Sequence, residues 1–324
     1  MLTTVVGNYP KIPNRPHPAR LRQAIARLDR GEITLQQLAQ VADEVTVEVI
    51  QEQDEAGVDL ITDGQIRWDD DQTYIMRQLA GVEIGGLLRY FDTNTYYRQP
   101  NIVGPVSWQE PILVRDYQFA VGHSPRPVKA VLTGPYTLAA LSLNTHHGSQ
   151  PELVLALATA LNQEARALAK AGAPVIQINE PAIVRHKGDI GLFAEAMERL
   201  LDGVQAETAL YTWFGDATGI LEQLLALPVD TIGLDFASAP ANWDALTETP
   251  FEKKLGFGII DARNTKLESL DQIAEAIRRV IAFVPAERLN VNPSCGLEYL
   301  PREEAAQKLK RMVDGVHRAQ GVAA

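Results

Sequence analysis

Five carboxylates and the chain's one cysteine fall at the ends of apolar runs. Asp63 closes "GVDLITDG", Glu180 closes "PVIQINEP" and Asp216 follows "TALYTWF". Asp235 closes "DTIGLDF", Asp261 closes "KLGFGIID" and Cys295 lies in "RLNVNPSCG". Gly7, Asn8, Gln65, Gly134 and Asn179 occupy similar places. Carboxylates can move protons or bind metal, and a thiolate is both a nucleophile and a soft metal ligand. Asp and Asn also cap helices, and a lone cysteine can be a small buried hydrophobe. One strand-end acid therefore says little; the set together points to a site.

Eight apolar runs must position these residues, at 2–6, 57–64, 128–135, 174–181, 208–214, 230–236, 254–261 and 288–296. They are apolar almost throughout, as in parallel strands covered on both faces. Helical spacing fills the gaps at 152–172, 217–227 and 269–284, the last with Ser269 as N-cap and Pro285 beyond it. The pattern predicts an α/β fold, a (β/α)8 TIM barrel with chemistry at the C-terminal strand ends. A doubly wound sheet is the alternative. Insertions are expected after the first and second strands, at 11–56 and 84–127, within a single domain spanning 1–324. The second holds the aromatic cluster Tyr90, Phe91, Tyr96 and Tyr97, which either packs a hairpin on the barrel or lines its mouth.

The formal net charge of −11 argues against nucleic acid and against anionic membranes as partners. No apolar stretch reaches the roughly 18 residues of a membrane span. A single cysteine and a start without a secretory pattern fit a cytoplasmic protein.

The segments "TTVVGNYP", "GVDLITDGQIRWDD", "VLTGPYTL", "IQINEPAI" and "RLNVNPSCGL" occur in order along the chain. They resemble the C-terminal catalytic half of cobalamin-independent methionine synthase, and the length suits its short, core-type members. The resemblance implies a TIM barrel that moves a methyl group to a small thiol, homocysteine, giving methionine. It also implies a zinc ion, held by histidine, glutamate and two cysteines, that stabilises the acceptor thiolate.

Carried onto this chain, Cys295 matches the last metal ligand and Asp235 takes the glutamate's place. The family's His-x-Cys pair is placed at Thr208 and Leu210, which cannot replace it. His186, His146 and His147 are the candidates for a substitute ligand. The resemblance gives Val6, Gly7 and Asn8 the acceptor's carboxylate, and gives Gln65, Asn179 and Glu180 its orientation. Catalytic roles fall to Asp235, Asp261 and Cys295, Asp261 replacing a histidine that serves folate-using relatives, with Arg263 beside it. That replacement, and the absence of a matching N-terminal half, make methylcobalamin or a methylcorrinoid protein the expected donor. The alternatives are a metal-independent lyase or decarboxylase acting on an acidic small molecule, and a non-catalytic ligand-binding homologue.

Overall fold

The apolar runs become short parallel strands, their polar ends left over for loops. The structure, a computed structural model, describes residues 1–321. From β1 (Leu2–Thr3) the chain runs through α1 (Arg20–Asp29) and α2 (Leu35–Glu55), then α3 (Thr73–Met76). A hairpin of β2 (Ala80–Arg89) and β3 (Tyr96–Ser107) precedes α4 (Val114–His123). Then follow β4 (Ala130–Thr133), α5 (Pro135–Ala140), β5 (Leu143–Asn144) and α6 (Gln150–Lys170). Strand and helix next alternate: β6 (Val175–Asn179), α7 (Ile190–Leu201), β7 (Glu207–Tyr211) and α8 (Leu221–Ala226). The last elements are β8 (Thr231–Asp235), α9 (Asn242–Glu248), β9 (Lys254–Ile260), α10 (Leu270–Val280), β10 (Leu289–Pro293) and α11 (Arg302–Gln320).

Seven strands form one curled parallel sheet, ordered β1-β10-β9-β8-β7-β6-β4. Every residue of β4 and β8 is buried, as strands covered on both faces require. The fold is α/β and TIM-barrel-like. The run at 57–64 is not a strand: single parallel bridges, Thr4 to Leu60 and Ile61 to Val128, carry it between the two sheet edges. Side chains take its remaining ladder positions. Asp59 accepts from the Thr3 N–H and hydroxyl, both at 2.8 Å. From α2, Gln53 donates to the Thr62 carbonyl at 3.0 Å and accepts from the Thr62 N–H at 3.2 Å.

Helix starts follow local chemistry. Ser269 caps α10 and Thr34 caps α2, each in a capping box with a glutamine three residues on. The hairpin pairs β2 with β3 antiparallel and begins four residues before the expected position 84. Between β10 and β9 the register slips at Asn292/Pro293, and the Ser294 N–H then donates to the Ile260 carbonyl at 2.8 Å. That slip re-aims the chain where Cys295 leaves the sheet.

Candidate active site

A cavity of about 310 Å³ opens at the C-terminal end of the sheet. Its wall combines Asn8 and Lys11 with Asp71, with Tyr90 and Tyr97 of the hairpin, and with Glu298 and Tyr299 beyond β10. Asn8 donates from Nδ2 to Asp71 Oδ1 at 2.6 Å, and its carbonyl accepts from the Leu297 N–H at 2.8 Å, tying the first-strand loop to the last. The Glu298 Oε2 atom is buried without a hydrogen-bond partner among the described residues. Burial raises the pKa of both Asp71 and Glu298; the Asp71 charge raises Glu298 further, while the Asn8 bond holds Asp71 down.

Of the site residues expected from the sequence, Asn8 lines this cavity, and so do Tyr90, Tyr96 and Tyr97 of the aromatic cluster. Val6, Gly7, Gln65 and Asn179 lie in the buried barrel interior. Gln177 reaches from β6 to donate to the Val6 carbonyl, and donates to Asn179 Oδ1 at 2.7 Å. Gln65 has the left-handed backbone (φ 53°), and neither end of its fully buried amide has a partner among the described residues. Gly7 (φ 151°) lies so close that a Cβ there would stand 2.6 Å from Gln65 Oε1.

Three expected roles are already occupied by local contacts. Glu180 caps α5: it accepts from the Tyr136 N–H at 2.9 Å, the Thr137 N–H at 2.7 Å and the Thr137 hydroxyl at 2.5 Å. Burial pushes its carboxyl up to about 7. Asp235 accepts from the Ser238 N–H at 2.8 Å and from the Ser238 hydroxyl. Asp261 closes a turn by accepting from the Arg263 N–H at 2.9 Å. Arg263 stacks 4.9 Å over Phe214, and Glu268 is held by Lys308 at 2.9 Å. Among the other strand-end acids, Asp216 pairs with Lys187 at 2.7 Å, and Asp63 accepts from the Gln65 N–H at 3.0 Å.

Cys295 is 1% exposed, and its Sγ donates to the Gly296 carbonyl at 3.4 Å. Burial pushes its thiol up, and the charges of Glu298 and Asp235 push it further.

The sequence profile of the family described as "Cobalamin-independent synthase, Catalytic domain" matches residues 1–318. The chain belongs to this family. It is 35% identical to "Methionine synthase" of Saccharolobus solfataricus, over 97% of this chain and 93% of that protein. It is 34% identical to "Methionine synthase" of Sulfurisphaera tokodaii, over 97% and 90%. The structure of a B12-independent methionine synthase from Shewanella sp. W3-18-1, in complex with selenomethionine, shares the fold with TM-score 0.84 at 23% identity, over 98% and 97% of the two chains. The protein is an enzyme, a methyltransferase; the lyase and ligand-binding alternatives are not favoured.

Family membership makes the fifth-strand positions decisive for zinc, and the expected placement there is corrected by strand parity. The Tyr211 ring lies in the barrel interior: a Cβ on Gly233 or Gly256 would come within 2.3 or 2.7 Å of its atoms, and Lys129 Nζ lies 5.1 Å from its centroid. Leu210 has the opposite parity and faces the helices. Thr208 has the same outward parity near the strand's start, where its N–H donates to Asp230 at 2.7 Å. The residues that reach the mouth on β7 are Tyr211 and, just beyond, Trp213, and neither is an imidazole or thiolate. The histidine substitutes fail as well. His186 is exposed beside Tyr136, and His146 and His147 meet edge to face at 5.3 Å in another loop. Among the described residues no three His, Cys, Asp or Glu side chains converge as a metal site. With Asp235 bonded to Ser238 and the Cys295 thiol to the Gly296 carbonyl, this donor set does not fit a four-coordinate zinc.

Asp71, Lys11, Glu298 and Tyr299 were missed because they come from loops, not strand ends. Their signals were present but faint: Asp71 ends the acidic run "WDDD", and Glu298 follows Cys295 by three residues. Among the described residues three non-glycines have left-handed backbones, Gln65, Phe91 and Phe214; the two phenylalanines pack on each other and on Tyr90 and Tyr299 of the cavity wall.

Proposed function

We propose that the protein methylates a small thiol, homocysteine, giving methionine. The observation that carries the reading is the carboxyl pair Asp71 and Glu298 in the wall of the mouth cavity. Burial raises both carboxyls towards the thiol's own range, so that the ionised member of the pair is matched to take the thiol's proton. Asn8 fixes Asp71 and so sets the angle of that base. The acceptor sulfur then attacks the methyl carbon in line. Gly7, Gln65 and Asn179 pack in the buried interior behind the first-strand loop that carries Asn8 to the cavity. Asp235 and Cys295 keep the adjoining wall in place; Glu180 fixes α5, and Asp261 shapes the loop that carries Arg263.

The reading extends to the architecture: a single-domain, cytoplasmic barrel, with α1–α2 and the β2–β3 hairpin as its insertions. The expected methylcorrinoid donor, free or carried by a corrinoid protein, is far larger than the 310 Å³ cavity and would have to present its methyl group from outside, whereas a small donor could enter. Mass spectrometry of homocysteine incubated with purified protein and candidate donors tests the proposal. Formation of methionine that falls at least about tenfold in Glu298→Gln supports it. Turnover unaffected by Glu298→Gln and Asp71→Asn defeats the assigned base.

A further inference from the structure

Four tyrosines, Tyr90, Tyr96, Tyr97 and Tyr299, share the wall of the mouth cavity. The neighbouring phenylalanines already carry cations: Arg263 lies 4.9 Å over Phe214 and Arg185 lies 5.5 Å over Phe91. Among the described residues, none of the four tyrosine rings has a cation on its face.

The acids of the same wall are unequally engaged. Asp69 pairs with Arg77 at 2.8 Å, and Asp70 accepts from the Gln72 and Thr73 N–H groups at 2.8 and 2.7 Å. Asp71 hydrogen-bonds only the neutral Asn8 amide and Glu298 Oε2 has no partner among the described residues, the Lys11 charge acting on both without an ion pair. The cation in the lining, Lys11, donates to the Trp68 carbonyl.

Electron-rich rings joined to an excess of carboxylates attract an organic cation and repel a polyanion. We propose that this cavity binds the methyl donor as a small onium cation, a quaternary ammonium or sulfonium group that offers one of its own methyl groups to the thiol. This rests on the thiol-methyltransferase reading above. The thiol proton passes to the Asp71–Glu298 pair. The sulfur lone pair forms the new S–CH3 bond as the C–N⁺ or C–S⁺ bond breaks. The electron pair leaves with nitrogen or sulfur, giving a neutral amine or thioether. No proton need be delivered to the leaving group, so the step makes no demand on position 261.

Calorimetric titration of the full chain with choline and its uncharged isostere 3,3-dimethylbutan-1-ol tests the binding. Choline is expected to bind at least about tenfold more tightly, to lose at least about fivefold in Tyr299→Leu, and to stay within about twofold in Tyr299→Phe. Equal affinity for the two probes overturns the proposal, as does an undiminished Tyr299→Leu. A second arm supplies trimethylsulfonium or methylcobalamin with homocysteine. Methionine from trimethylsulfonium supports the proposal. Methionine from methylcobalamin alone, with no onium preference, overturns it and leaves thiol methylation standing. Onium-selective binding without methyl transfer from either donor overturns the donor role, together with the thiol-methyltransferase reading.

Discussion

The Glu298 carboxylate folds back over Gly296 so closely that a Cβ at position 296 would stand 2.1 Å from its Oε2 and 2.9 Å from the Asn8 Cβ. The glycine after Cys295 thus has a steric reason. It lets the loop following β10 bring a carboxyl over its own backbone and into the mouth, beside the asparagine that orients Asp71.

Gly296→Ala therefore separates position from presence. The added methyl must displace the flexible Glu298 head and crowd Asn8, at a stability cost of about 1–3 kcal/mol. Methyl transfer is expected to fall at least about tenfold with the carboxyl still in the chain. Thermal melting and turnover, measured on the same preparation, check the pair.

Glu180 predicts a stability effect with a defined pH sign. In Glu180→Gln, one acceptor oxygen is lost and an NH2 group faces donors in the start of α5, costing about 1–3 kcal/mol. Folding raises the carboxyl from its ordinary 4.5 to about 7, so the native state binds the extra proton between those values. Its contribution is greatest below about 4.5 and declines as pH rises to about 7. The gap between wild type and variant should narrow across that window in urea titrations.

Lys129 gives the opposite slope. It is buried without a salt bridge among the described residues, and burial lowers its pKa from 10.5 to about 7. Above 7 the native lysine is neutral while the unfolded one still holds its proton, so stability rises with pH from about 7 towards 10.5. Lys129→Met, similar in volume, should gain about 1–3 kcal/mol at pH 7 by removing an unpaired polar group. Its advantage should shrink by pH 9.5, as read from denaturant midpoints.

Cys295 should behave as a protonated core thiol. With its pKa raised by burial and by two nearby carboxyls, native protein should react with iodoacetamide at least about tenfold more slowly than unfolded protein. Labelling followed by mass spectrometry checks this. Fast native labelling would mean an ionised, accessible sulfur.

The strands from β6 to β10 were legible because each is a short apolar run ended by a polar residue. Ser269 likewise announced the start of α10. The bridge at residues 60–61 was not, since "GVDLITDG" has the composition of a strand; only the packing reveals Asp59 and Gln53 taking the ladder positions. At the site, composition placed Asn8 and Cys295 near the mouth but could not tell an acid that faces a cavity from one that caps a turn. Glu180 and Asp235 have their oxygens committed locally, whereas Glu298 has an oxygen left over. The error at Thr208 and Leu210 came from alignment by type. A one-residue change of parity along β7 exchanges the helix layer for the barrel interior.

The seam at residues 60–61 has a mechanical consequence. Elsewhere in the sheet adjoining strands share two to five pairs, but here the circle is joined through two isolated bridges and borrowed side-chain bonds. It is the joint of the wall with the fewest backbone pairs on each side. Immediately beyond it come Thr62, whose hydroxyl donates to the Gly7 carbonyl at 3.0 Å, and then Gln65. Breathing at the seam would be felt first in the buried interior around Gly7 and Gln65, next to the loop that carries Asn8 to the cavity. The amides of Leu60 and Ile61 would then exchange with solvent faster than those of β8 in the free enzyme, and would slow when the cavity is filled.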